Sequence, residues 1–193
     1  MNSDRPLTTE KKQMLLRIAR EAIEAQLRNP PPRPPALTDL SPRLQLDGAS
    51  FVTLTDHGEL RGCIGSLQAR RPLAHDVYHN ALGAAFKDPR FPPLREGELA
   101  QITVEVSVLS QPEPLEYANA EALLDKLRPH VDGVVLKRGL RRATFLPQVW
   151  EKLPQPETFL THLCYKAGLP PDAWRRSDVE IETYQVDKFK EGN

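Results

Sequence analysis

The chain has 193 residues, of which 39% are hydrophobic and 6% aromatic, a composition typical of one globular domain or of one domain in two lobes. Lysine plus arginine and aspartate plus glutamate both number 26, so the net charge is zero. A general binder of nucleic acid or of membrane surfaces carries a basic excess and is not expected here. No apolar run has the length of a membrane span and no signal-peptide pattern opens the chain, so we expect a cytoplasmic protein.

The first elements in chain order are a helix and a proline-rich connector. Thr9 is suited to cap a helix over about residues 10–28, in which small and aliphatic residues recur on one face. Residues 29–35, NPPPRPP, forbid helix and predict a stiff, extended connector. A ligand for a proline-binding domain is the alternative interpretation of this tract.

Residues 51–65 predict a β-hairpin that turns at residues 56–58. A three-residue turn with Gly58 in the left-handed region separates apolar from polar side chains, whereas a two-residue turn mixes them, so we favour the three-residue turn. The apolar face then holds Val52, Leu54, Leu60 and Ile64. The opposite face, which can line a cleft, holds Thr53, Thr55, Arg61 and Cys63.

The remaining pattern alternates helices and strands. We expect helices over residues 72–86, from Asn119 to near Arg128, and over residues 156–167 with Gly168 as the stop. We expect strands over residues 101–109, 133–137, 143–146 and 179–186. Helices interspersed with hairpins favour an α+β fold, with antiparallel sheets and flanking helices, over a doubly wound parallel sheet.

The hexapeptide LRGCIG at residues 60–65 is accompanied by five further motifs in order along the chain. They are FVTL at 51–54, DPRF at 88–91, EVSVL at 105–109, ATFLPQVW at 143–150 and KAGL at 166–169. On these residues the chain resembles the AMMECR-domain family, whose prokaryotic members are called AmmeMemoRadiSam system protein A. The resemblance extends from the first helix to the last strand.

The resemblance implies one AMMECR domain over residues 1–193, built from two unequal subdomains with antiparallel strands. It also implies a cytosolic protein that acts with a Memo-like protein and a radical S-adenosylmethionine protein. It implies no established reaction and names no cofactor, so hypotheses about the chemistry rest on the residues themselves.

Cys63 is the candidate catalytic residue, as a thiol nucleophile or redox carrier. Arg61 lies two residues away, and a nearby cation favours the thiolate. A thiol enzyme also needs a base, and His57 at the hairpin tip is about 15–20 Å along the strand from Cys63. Glu105 or His130 could serve only if the fold delivers them. A small buried cysteine in a tight part of a sheet is the structural alternative.

The same stretch is a candidate binding groove for a small ligand or a protein segment. Its predicted binding residues are Arg61, Gly62, Gly65, Asp88, Arg90 and Glu105. The two arginines could hold a phosphate or carboxylate, and glycines allow close approach to the backbone. A structural salt-bridge cluster and a close backbone crossing are the alternatives. We favour recognition over catalysis because it demands fewer special geometries.

Three other features carry weaker hypotheses. His75 and His79 are spaced i, i+4 like metal ligands, but a solvated helix edge is favoured. Residues 137–142, KRGLRR, form a basic turn that could touch nucleic acid, although a solvated turn fits the zero net charge better. Cys164, Trp150 and Trp174 are expected in the core, and both cysteines are expected to be reduced thiols.

Overall fold

The computed structural model describes residues 6–28 and 33–192, which form five α-helices and eight β-strands. The helices are α1 (Thr9–Leu27), α2 (Pro42–Gln45), α3 (Leu73–Phe86), α4 (Ala120–Lys126) and α5 (Pro156–Lys166). The strands are β1 (Ala49–Asp56), β2 (Glu59–Gly65), β3 (Ile102–Leu109), β4 (Glu113–Pro114), β5 (Gly133–Arg138), β6 (Arg141–Phe145), β7 (Glu180–Tyr184) and β8 (Val186–Lys190). Residues 29–32 of the proline-rich connector lie outside the described residues.

The chain divides into two compact units. The first comprises Met1–Ser110 with Asp187–Asn193, and the second comprises Gln111–Val186. Each contains one four-stranded sheet, so the predicted α+β class with antiparallel sheets and flanking helices is confirmed.

The first unit has the strand order β2–β1–β3–β8, with α1 and α3 packed over one face of the sheet. Alternation along β1 and β3 sends one row of aliphatic side chains into this core, where Val52, Leu54, Val104 and Val106 are fully buried. α1 and α3 supply the facing apolar stripes, among them Leu15, Ile23, Leu73 and Val77. The other face of the sheet carries the opposite side chains of each strand.

The second unit has the strand order β4–β7–β5–β6, with its core formed by α4, α5 and the inward side chains of the sheet. Trp150 stacks on Phe159 with ring centroids 3.7 Å apart, and both are fully buried. Asn119 caps α4 as predicted, accepting a hydrogen bond from the Ala122 N–H at 2.9 Å. Gly168 (φ 69°) follows the end of α5.

The predicted hairpin turn is wrong, although Thr53 and Cys63 share one face of the sheet as predicted. Asp56 pairs with Glu59, so the turn consists of His57 and Gly58, both with positive φ (49° and 89°). Thr55 then pairs with Leu60 while Leu54 pairs with Gly62, which leaves Arg61 as the extra residue of a β-bulge. Leu60 therefore joins the face of Thr55 and is 43% exposed.

The strand predicted over residues 179–186 is present at Glu180–Tyr184, but it is not the last strand, and Val186 begins a further one. β7 ends at Tyr184 and belongs to the second sheet, whereas β8 begins at Val186 and belongs to the first. Ile181 is buried in the second core, and Phe189 packs against the first. A local pattern of alternation does not reveal that its two halves are buried in different cores.

Glu191 anchors the end of the chain to the first unit, and its neutralisation is expected to be destabilising. Its carboxylate accepts hydrogen bonds from Arg20 Nε and from the Val104 N–H, each at 2.9 Å. The pKa of Arg20 is raised, chiefly by its hydrogen bond to Glu191. We expect Glu191→Gln to lower the free energy of unfolding by about 1–2 kcal/mol in urea denaturation. Glu21→Gln, at an exposed position of α1, is the matched control, and an equal effect of both changes would contradict this role.

Candidate functional site

The backbone of Cys63 is held from outside the sheet by two side chains of the loop that follows α3. β2 is an edge strand, so every second backbone group has no neighbouring strand to bind. The Cys63 N–H donates to Asp88 Oδ2 at 2.9 Å, and Arg90 Nη2 donates to the Cys63 carbonyl at 3.3 Å. Asp88 and Arg90 together therefore occupy the place of a further strand at this position.

Asp88 is the centre of this clamp. It is 4% exposed and accepts Arg90 Nη2 at 2.7 Å, Arg90 Nε at 3.0 Å and the Arg90 N–H at 3.1 Å. The Arg90 guanidinium holds the pKa of the Asp88 carboxyl far below its ordinary value, and the backbone N–H groups of Cys63 and Arg90 lower it further against the effect of burial. The Asp88 carboxylate thus accepts its hydrogen bonds from Arg90 and Cys63 of the same chain.

Arg61 is also engaged by the protein. Its Nε donates to Glu98 Oε1 at 2.7 Å, and its Nη2 donates to the Pro92 carbonyl at 3.0 Å. This hydrogen bond with Arg61 is the main cause that lowers the pKa of Glu98. Arg61 Nη1 is buried and has no hydrogen-bond partner among the described residues. The bulge removes the alternation by which Arg61 was predicted to share the face of Cys63, and the Arg61 side chain is 10% exposed.

The two glycines of the hexapeptide are closely approached by the chain itself. A Cβ atom on Gly62 would lie 2.2 Å from the Ala84 carbonyl oxygen of α3. A Cβ atom on Gly65 would lie 2.2 Å from the Phe51 ring. This is the close crossing that sequence analysis left open as the alternative to ligand approach.

A row of four polar side chains crosses the sheet on the face away from α1 and α3. We call it the polar sheet face, and it consists of Cys63, Thr53, Glu105 and Lys188. Thr53 pairs with Cys63 on β2 and with Glu105 on β3. Thr53 Oγ1 donates to Cys63 Sγ at 3.2 Å, and Lys188 Nζ lies 2.9 Å from Glu105 Oε1. None of the four is fully buried.

A catalytic Cys63 would need a general base, and the sequence offered Glu105, His57 and His130 as candidates. Glu105 is two strands away, a separation of about 9–10 Å, so it does not contact the thiol. His57 lies in the hairpin turn, beside Asp56 at 2.6 Å, and His130 lies in the second unit. Within the described residues, Cys63 Sγ accepts a hydrogen bond from a hydroxyl, that of Thr53, which orients a thiol but does not deprotonate it.

Lys188 and a buried polar network were not predicted from the sequence. Lys188 could have been found from alternation along residues 186–190, with Phe189 inward, had this segment been identified as a strand. In the network, Asp76 on α3 accepts the Ser50 N–H at 2.9 Å, Ser50 Oγ at 2.7 Å and Ser66 Oγ at 2.8 Å. Asn80, one turn later, donates to the Ser50 carbonyl at 3.0 Å. The network joins α3 to β1, and the i, i+4 spacing of Asp76 and Asn80 was its signal.

The weaker candidates divide as follows. His75 Nε2 lies 2.9 Å from the Pro35 carbonyl, and His79 is exposed. Both cysteines are free thiols, and Cys164 is fully buried, which raises its pKa. Within the basic turn, Lys137 pairs with Glu182, and Arg138 lies 2.7 Å from Asp178. No helix in the described part of the chain is long and apolar enough to cross a membrane.

Comparisons with known proteins agree on one family. The sequence model of the AMMECR1 family matches residues 16–189. A protein of Thermofilum pendens is 39% identical over 204 aligned residues, which cover 96% of this chain and 92% of that protein. Protein MK0488 of Methanopyrus kandleri is 38% identical over 196 residues, which cover 96% and 90%.

A solved structure has the same fold. The crystal structure of the uncharacterized protein PH0010 from Pyrococcus horikoshii superimposes with a TM-score of 0.78 at 35% identity, covering 96% of this chain and 94% of that one. Sequence and structure thus confirm the family that the motifs around Cys63 indicated, and this chain belongs to the AMMECR1 family.

Proposed function

We propose that this protein is a cytosolic accessory protein that recognises a segment of a partner through the polar sheet face. The partners we propose are the Memo-like protein and the radical S-adenosylmethionine protein implied by the family resemblance. The observation that carries the proposal is the row itself. A thiol, a hydroxyl, a carboxylate and an ammonium group are aligned across four strands and are all at least partly exposed.

Pre-organisation supports recognition at this face. The clamp of Asp88 and Arg90 fixes the Cys63 backbone, and the Thr53 hydroxyl fixes its thiol. Side chains that are already ordered lose little conformational entropy when a partner docks, so affinity is gained without new contacts. Asp88 and Arg90, predicted as binding residues, support the face in this proposal, whereas Glu105 contacts the partner directly.

A charge exchange tests the proposal. The double variant Glu105→Lys with Lys188→Glu retains an ion pair between β3 and β8 but reverses its direction. We expect its thermal midpoint to stay within about 2 °C of the wild type, because both side chains are partly exposed and remain paired. We expect binding to the purified Memo-like protein or radical S-adenosylmethionine protein to weaken at least about tenfold in isothermal titration calorimetry. Unchanged affinity for a partner that binds the wild type would remove the polar sheet face from recognition.

The alternative function is a thiol-dependent enzyme that uses Cys63. It is favoured by one observation, a partly exposed free thiol that accepts a hydrogen bond from Thr53. Alkylation with iodoacetamide, followed by mass spectrometry of the native protein, separates the two functions. Recognition predicts that Cys63 reacts no faster than a free thiol and that Cys63→Ser still binds the partner. Faster alkylation than free cysteine at pH 7, with loss of a measurable turnover in Cys63→Ser, would favour the enzyme instead.

A further inference from the structure

The turn between β5 and β6 exposes a leucine that the fold does not use. Arg138 pairs with Arg141, so the turn consists of Gly139 and Leu140. Gly139 has φ 58°, which fits the first central position of a type II′ turn, and the second position accepts almost any residue. Leu140 is 105% exposed, so it contributes nothing to either core. A polar residue would serve the turn equally well.

An apolar hollow lies beside this leucine. It has a volume of about 500 Å³ and is lined by Arg138, Leu140, Arg141, Leu169 and Pro170. Leu169 is largely buried and forms part of the second core, while Pro170 is exposed. The hollow is therefore attached to a rigid part of the second unit. A single large side chain is small enough to enter it.

The rim of the hollow is positively charged. The cations of Lys137 and Arg138 are paired with Glu182 and Asp178. Arg141 lines the hollow, is exposed, and within the described residues forms no ion pair. Arg142 is also exposed but pairs with Lys137 across the hairpin, so it lies on the opposite face of β6 and outside the rim. A hollow that is apolar at the centre and cationic at the rim is complementary to an apolar side chain with acidic neighbours.

We propose that this hollow and the tip residues around it, from Arg138 to Arg141, are a docking site for an extended acidic segment of another protein. One large aliphatic or aromatic side chain of the segment contacts Leu140 and Leu169, and a flanking carboxylate pairs with Arg141. This site is independent of the polar sheet face. Nucleic acid would make no use of the exposed leucine, and one unpaired cation with one leucine binds an anionic bilayer only weakly.

Selection from a phage-displayed random 12-residue peptide library tests this site, with the full chain as bait. We expect enriched peptides to carry a Leu, Ile, Phe or Trp flanked by Asp or Glu. Their fluorescently labelled synthetic copies should lose at least tenfold in affinity for Leu140→Asp and for Arg141→Glu. Leu67→Asp, at another exposed leucine, should bind them like the wild type. Leu140→Asp is expected to keep the wild-type thermal midpoint, because the side chain makes no core contact.

The other outcomes overturn the proposal. Enriched peptides without acidic residues, or binding equal for the wild type and Leu140→Asp, would exclude an acidic segment at this hollow. So would a library that yields no enrichment over the Leu140→Asp bait. Binding of a single-stranded oligonucleotide, or of vesicles of phosphatidylcholine and phosphatidylglycerol, that depends on Leu140 and Arg141 in the absence of peptide binding would assign the tip to those ligands. A dimer that Leu140→Asp dissociates in sedimentation velocity would assign it to a second copy of the chain.

Discussion

Gly62→Ala is expected to lower the free energy of unfolding by about 3 kcal/mol or more. The added methyl group would lie 2.2 Å from the Ala84 carbonyl oxygen, far inside van der Waals contact. That oxygen belongs to the backbone of α3, which packs against both the sheet and α1, so it cannot rotate away as a side chain could. Relief requires β2 and α3 to separate, which opens space beside fully buried residues such as Val77 and Ala81.

Urea denaturation followed by circular dichroism measures this effect, and two other glycines calibrate it. Gly97→Ala is the matched control, because a Cβ atom there meets nothing within 4 Å, and its effect should stay within about 0.5 kcal/mol. Gly65→Ala should fall between the two, since the clash is with the Phe51 ring, which can move. A loss for Gly62→Ala no larger than for Gly97→Ala would show that α3 and β2 separate at little cost.

The expected order of these stability losses indicates a structural role for most of the LRGCIG hexapeptide. Gly62 and Ile64 face α3, and a Cβ atom added to Gly83 of that helix would lie only 2.9 Å from Ile64 Cγ2. These close contacts fix the helix on the sheet. Cys63 lies on the opposite face beside Thr53. Arg61 is tied to the loop that contains Pro92 and Glu98. Most of the hexapeptide therefore fixes the position from which one side chain, that of Cys63, is presented.

Local periodicity predicted much of this arrangement. Alternation along β1 and β3 places Thr53 and Glu105 on the face opposite the aliphatic core, and alternation along β2 places Cys63 on that same face. The predicted three-residue turn would have paired Thr53 with Arg61, whereas Thr53 pairs with Cys63. The bulge at Arg61 could not be predicted, because it depends on a two-residue turn with positive φ at His57, and such turns strongly favour Asn-Gly, Asp-Gly or Gly-Gly over His-Gly.

Contacts between residues far apart in the sequence could not be predicted from local patterns. Arg61 could be identified as a cation near Cys63, but its partner Glu98 is 37 residues away and is set by tertiary packing. The same holds for the division of residues 179–190 between two sheets. Asp88 was named as a candidate binding residue on its motif alone. Its role as an acceptor of the Cys63 N–H depends on where α3 ends relative to the edge strand.

Asp88→Asn is expected to lower the free energy of unfolding by about 2–3 kcal/mol at pH 7. Asparagine retains one acceptor for the Cys63 N–H but loses the charged pair with Arg90, whose two nitrogen donors contact the carboxylate at 2.7 and 3.0 Å. The carboxylate is almost fully buried, whereas the Arg90 side chain is 54% exposed and water can solvate it in the variant. Asp125→Asn, at an exposed position of α4, is the matched control and should change stability by no more than about 0.5 kcal/mol.

The pH dependence of this difference identifies its cause. The pKa of Asp88 is lowered in the folded protein, chiefly by the hydrogen bond from Arg90, so the unfolded chain binds the proton more readily than the folded one. The stabilisation is therefore fully present above the unfolded-state pKa of about 4 and is lost as the pH falls below it toward the folded-state value. Urea denaturation at pH 7, 5 and 3 should show an equal gap between wild type and Asp88→Asn at the first two values and a smaller gap at pH 3. A gap that does not change between pH 5 and pH 3 would mean that the carboxylate contributes through shape and not through its charge.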